Sequence, residues 1–103
     1  MVKAKNMKNN DYMSDEQFIE TAKTCLTDYF RNVLKVKLSE SECKNHIAMT
    51  WYSYIAGNYK AMFCVVGYQG DTDPQLTDRY YEVTYIKSED NIMIDEYLSK
   101  NNC

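Results

Sequence analysis

The segment His46–Tyr68, HIAMTWYSYIAGNYKAMFCVVGY, constrains the fold of this chain more than any other. Two apolar, aromatic runs flank Gly57-Asn58, a dipeptide suited to the two-residue loop of a β-hairpin. A turn centred there opposes Ala56 to Tyr59 and Ile55 to Lys60, and this register sorts the side chains into two sets. One set holds Ile47, Met49, Trp51 and Ile55 with Met62, Cys64, Val66 and Tyr68. The other holds Ala48, Thr50, Tyr52 and Tyr54 with Ala61, Phe63, Val65 and Gly67. Both are largely apolar or aromatic, which suits the interior of a sheet better than its edge.

A sheet needs a cover, and the preceding residues supply one. Ser14 followed by Gln17 forms a capping box, Met13 and Phe18 are placed as a hydrophobic staple, and Asp15 and Glu16 sit in the first turn. Phe18, Ile19, Ala22, Leu26, Tyr29, Phe30, Val33 and Leu34 then recur at three- and four-residue spacing, the apolar stripe of an amphipathic helix. A second box, Ser39-x-x-Glu42, opens a short turn before His46. Downstream, Gln69–Asp78 reads as a loop. Tyr80–Lys87 is an alternating strand, Ser88–Asn91 a turn, and Ile92–Leu98 a strand or a strand running into a helical turn. The fold class is therefore α+β, with one long N-terminal amphipathic helix packed on an antiparallel β-meander of about four strands. Residues 1–12 carry no apolar periodicity and read as a disordered leader, and 13–103 as a single domain.

Charge narrows the partners. The net charge is −3, yet Lys3, Lys5 and Lys8 make the first ten residues basic, while from Gln69 onward eight acids face three bases. An acidic half disfavours direct nucleic-acid binding and suits a basic protein surface. Nothing approaches the length of a membrane span or forms a signal peptide, so a cytoplasmic location is expected, with Cys25, Cys43, Cys64 and Cys103 reduced.

Motifs for chemistry are sparse. Cys43 and His46 are three apart, but zinc would need two more ligands, for which only Cys25, Cys64 or scattered carboxylates are available. The absence of a C-x-x-C pair argues against zinc, and no third group orients the two as nucleophile and base. Asp71, Asp73 and Asp78 lack the frame and terminal glutamate of an EF-hand. There is no phosphate loop, nucleophile elbow or dinucleotide fingerprint. The expectation is a protein with no cofactor, no metal and no catalytic residues. Ten tyrosines in a short chain are the stronger signal, because tyrosine combines apolar area with a polar tip. One helix covers one sheet face, so the second face requires the C-terminal segment, a second copy of the chain or a target protein.

Tyr52-Ser53, Asn58 and Lys60-Ala61 around the hairpin, the segment YYEVTY at Tyr80–Tyr85, and Asp95 with Tyr97 resemble a family of small proteins of unknown function. These come from phages and prophages of Gram-positive bacteria. The family pattern usually has Trp-Ser-Lys where this chain has Tyr52-Ser53-Tyr54, and a shorter connection in place of Gly67–Asp78. The resemblance supplies no catalytic residues. It implies an accessory protein that occupies a surface of a host protein in the bacterial cytoplasm, an inhibitor of a defence system such as a CRISPR effector being one form. The residues expected to carry binding are Asp71, Asp73, Asp78, Glu89, Asp90 and Asp95, with Trp51, Tyr52, Tyr54 and Tyr81 as aromatic anchors. Two alternatives are a structural homodimer and a small metal-dependent hydrolase in which Cys43, His46 and the loop aspartates converge.

Overall fold

A computed structural model describes residues 2–3, 14–67, 76 and 79–98. The elements are β1 (Val2–Lys3), α1 (Asp15–Asp28) continued by a π-helical turn (Tyr29–Val33), α2 (Glu40–Asn45), β2 (Ile47–Ile55), β3 (Asn58–Val65), β4 (Arg79–Ile86) and β5 (Asn91–Leu98). Strands β2 to β5 form the antiparallel meander that the sequence predicts, with the helices on one face. The small β1 adds to the outer side of β5, Val2 opposite Ile94. That dipeptide departs from the expected structureless leader; residues 4–13, with the staple residue Met13, lie outside the described residues.

α1 begins where its cap dictates. Ser14 Oγ accepts from the Gln17 N–H at 3.1 Å, and Gln17 Oε1 accepts from the Ser14 N–H at 2.8 Å. Phe18, Ala22 and Leu26 are fully buried against the sheet. The stripe does not continue unbroken to Leu34. The π turn fits more residues into its circuit than an α turn, and this shifts the phase of all that follows. Phe30 stays in the core while Val33, expected in the stripe, is turned out to 58% exposure. Lys35 ends the segment at φ 62°, the left-handed conformation common after a helix C-terminus. The second box also forms: Ser39 Oγ accepts from Glu42 N–H at 3.2 Å and Glu42 Oε1 from Ser39 N–H at 3.0 Å.

The hairpin turns one residue earlier than Gly57-Asn58. Ala56 and Gly57 are its central pair, at φ 53° and 86°, and Ile55 lies opposite Asn58. Two left-handed central residues match the turn whose twist suits a hairpin. Asn58 is occupied elsewhere: its Oδ1 accepts from the Lys87 N–H at 3.1 Å and ties the hairpin tip to the β4–β5 connection.

A second correction arises at Thr50. Met49 faces Phe63 and Trp51 faces Met62, so Thr50 is an extra residue, a β-bulge whose hydroxyl donates to the Met62 carbonyl at 3.1 Å. The bulge inverts the parity of everything before it. Tyr52 and Tyr54 share a face with Ala61, Phe63 and Val65 as expected, but Ile47 and Met49 join them instead of standing with Trp51 and Ile55. The sheet order β1-β5-β4-β3-β2 also places β2 at an edge, against the expectation of an interior hairpin; only β3 and β4 are flanked by two long strands.

The core lies between α1 with its π turn and the odd-numbered residues of β3 and β4. Phe18 stacks on Tyr59 with ring centroids 4.9 Å apart, and Phe30 meets Tyr81 edge-on, also at 4.9 Å. Val83, Ile92 and Ile94 are at most 2% exposed beneath them. From the predicted loop, Leu76 reaches this core. β5 stays extended to Leu98, so no terminal helical turn forms within it.

The turn makes a simple prediction. Gly57→Ala forces an L side chain into φ 86° and should destabilise the fold by about 1–2 kcal/mol. Ala56→Asn relieves the same constraint one residue earlier and should stabilise by roughly 0.5 kcal/mol. Thermal unfolding followed by circular dichroism checks both signs.

Candidate partner-binding face

Strand alternation, with the Thr50 bulge, decides which side chains the helices do not cover. Two rows cross the uncovered face. One runs Trp51, Met62, Glu82, Asp95; the next runs Ser53, Lys60, Thr84, Met93. At the centre, Lys60 Nζ is 3.8 Å from Glu82 Oε1, and the Tyr97 hydroxyl donates to the same oxygen at 3.3 Å. The Glu82 charge pushes the Tyr97 phenol above its ordinary pKa. Around this polar centre stand accessible apolar groups, Trp51 and Ile55 on β2 and Tyr97 on β5, at 42%, 72% and 46% exposure, and the Lys60 side chain is exposed among them. Apolar anchors beside a compact charged centre can seat a protein surface, and the polar groups would fix its register.

The expected binding residues divide. Trp51 and Asp95 fall in one row of the open face. Tyr52 and Tyr54 point to the helix side. The Tyr52 hydroxyl donates to Asp15 Oδ1 at 2.6 Å, and Tyr54, half exposed beyond the helix, lies against the Tyr59 ring at 4.6 Å. Tyr81 is a correction: the odd residues of β4 face the helix, so its ring is wholly buried under Phe30 and cannot anchor a partner. Glu89 is exposed in the 3₁₀ turn Lys87–Glu89. Asp90, at φ 48°, ends that turn and accepts from the Tyr85 hydroxyl at 3.2 Å, a structural task. Asp71, Asp73 and Asp78 lie outside the described residues. Ile55, Met62, Lys60, Glu82 and Tyr97 were missed as a group. The even-numbered alternation of Tyr80, Glu82 and Thr84 against Tyr81, Val83 and Tyr85 was the signal that could have found Glu82.

At the end of the covered face Arg79 Nη1 holds Glu96 Oε1 at 2.8 Å, beside Tyr29 and Tyr81. Burial, then the neighbouring Glu96, raises the Tyr81 phenol. Burial, then the hydrogen bond to Asp15, raises that of Tyr52. Burial also pushes up the Cys43 thiol. His46 Nδ1 is 2.9 Å from the Val66 carbonyl. Among the described residues no group of three or more His, Cys, Asp or Glu is placed to hold a metal ion, and the aspartates that a hydrolase would bring to Cys43 and His46 are outside them. No described helix is long and apolar enough to cross a membrane.

The raised phenols have a pH consequence. Tyr52, Tyr81 and Tyr85 keep their protons in the folded chain above 10.0, the value at which a solvated phenol loses half of its own. Their contribution to stability is complete below pH 10 and is lost as pH rises beyond it, because the unfolded chain then releases protons that the fold retains. Melting temperatures recorded from neutral to strongly alkaline pH should fall above about pH 10. The fall should be shallower in Tyr81→Phe.

A family model described as a family of unknown function (DUF6275) matches residues 19–103. No curated protein and no solved structure matches the chain. The matched range takes in α1 from Ile19 onward and the whole sheet from β2 to β5, including both rows of the open face, and the chain belongs to this family of unknown function, DUF6275.

Proposed function

We propose that the chain is a non-enzymatic accessory protein of phage or prophage origin that works in the bacterial cytoplasm by covering a basic surface on a host protein. One observation carries the reading: the helices cover a single face of the meander, and the other presents Trp51, Ile55 and Tyr97 around Glu82 and Asp95. An apolar ring with carboxylates inside it suits a surface where Arg or Lys stands beside apolar groups. Charge supports the same partner, since residues 79–98 carry five acids against Arg79 and Lys87. A basic groove that normally holds nucleic acid fits this description, and a defence nuclease such as a CRISPR effector is one concrete target. Trp51 supplies buried area on contact, Asp95 and Glu82 supply complementarity, and Lys60 holds Glu82 in place.

The reading is tested by comparing capture from a Gram-positive host lysate by the wild type, Trp51→Ala and Asp95→Lys. The expected outcome is a basic protein retained by the wild type, released by salt, and lost from both variants while their melting temperatures hold. With the captured protein purified, Trp51→Ala should weaken binding by at least about 2 kcal/mol, roughly 30-fold. Equal capture by all three forms would remove the open face from the mechanism.

A further inference from the structure

The outer edge of β2 presents a row of backbone groups that the open-face reading does not use. Of the eight large hydrophobic residues exposed among the described ones, Met49, Trp51, Tyr54 and Ile55 are all on this strand. Its nine residues, IAMTWYSYI, include no charge and no proline, two of the devices that keep an edge from pairing, and the bulge at Thr50 interrupts only the first part of the strand. The other edge is different: β5 carries Asp95 and Glu96 and is met by β1.

The register shows which backbone groups the edge presents. Ile55 and Asn58 flank a two-residue turn and so exchange both backbone hydrogen bonds. Alternation makes Ser53–Lys60 and Trp51–Met62 the next bonded pairs, which leaves the N–H and C=O groups of Tyr52 and Tyr54 directed away from β3. We propose that β2 pairs antiparallel with β2 of a second copy about a two-fold axis at Ser53, joining two meanders into one continuous sheet. With the axis at Ser53, Tyr52 stands opposite Tyr54 of the second copy, and these are the residues with outward backbone groups. Ser53, a small side chain, meets its own counterpart as a non-bonded pair, where strands approach most closely. Trp51 meets Ile55 of the second copy on the open face. Bulky residues are thus matched off the axis and a small one lies on it.

Charge permits the same occupant. Each copy carries −3 overall, but β2 is uncharged, so contact there opposes no like charges. The Thr50 bulge and the Ala56–Gly57 turn bound the regular stretch to Trp51–Ile55. The contact is main-chain pairing along an edge; it draws on Trp51 and Ile55 of the open face, so it is separated from the partner assigned there by Ser53, to which that reading gives no role.

The test is light scattering coupled to size exclusion on the full chain over a range of concentrations, with circular dichroism confirming that each variant is folded. The wild type should run as a dimer. Ser53→Lys places two ammonium groups across the axis, and Ile55→Lys puts a charge at a largely exposed edge position; each should reduce the mass to that of a monomer. Mixing Ser53→Lys with Ser53→Glu should restore a dimer containing one of each, a result that only an axis at residue 53 gives. A wild type that stays monomeric throughout overturns the proposal, as does a dimer that survives both lysine substitutions.

Discussion

The contact between α1 and the odd-numbered residues of β3 and β4 is what the rest of the molecule depends on. Phe18 on Tyr59 and Phe30 on Tyr81 fix the helix across the middle of the sheet, and each fully buried aromatic of this kind contributes about 1.5–3 kcal/mol through burial alone. Against a total stability of about 5–15 kcal/mol for a small domain, two such contacts are a large share. One helix with a π turn and one short helix have only enough apolar surface for one side of four strands. The uncovered side, and with it every functional argument above, follows from that shortage.

The aromatic surplus is thereby divided into two roles that composition cannot distinguish. Tyr59, Tyr81 and Tyr85 are core residues. Trp51 and Tyr97 stand on the open one. Tyr52 and Tyr54 are intermediate: they pack on the helix side of an edge strand, where one flank meets the core and the other meets water. Acidic residues divide likewise. Asp15 accepts from Tyr52, Asp90 accepts from Tyr85, and Glu96 holds Arg79, so part of the acidic excess is structural.

Much of the fold was legible because local rules agreed with one another. Both capping boxes form at the residues that encode them, and the alternation of β4 separates its residues into the two sets that the sheet places on opposite faces. What was not legible depended on phase. A bulge at Thr50 and a π turn at Tyr29–Val33 each insert part of a cycle into a periodic pattern, and neither leaves a composition signal, since Thr is ordinary in strands and Tyr-Phe-Arg-Asn-Val would serve equally in an α-helix. Val33, Ile47 and Met49 were therefore assigned to the wrong sides. Turn placement failed for a related reason: Asn58 suits a turn, but its carboxamide is engaged by the Lys87 backbone, a partner far along the chain. As for the site, Tyr81 was misread because an exposed and a buried tyrosine look alike in sequence, whereas Trp51 and Asp95 were placed on one face only once the register was known.

Thr50 has a meaning for chain length as well as for geometry. Residues before it are already in step with their β3 partners, and so are residues after it. It is thus the position in the hairpin where a residue can be dropped without any side chain changing sides. Loss of a residue elsewhere along β2 would instead transfer a run of apolar groups from the core to water. Among relatives of this chain, length variation within the strand should therefore gather at that position, and the hairpin can shorten there while both of its faces keep their character.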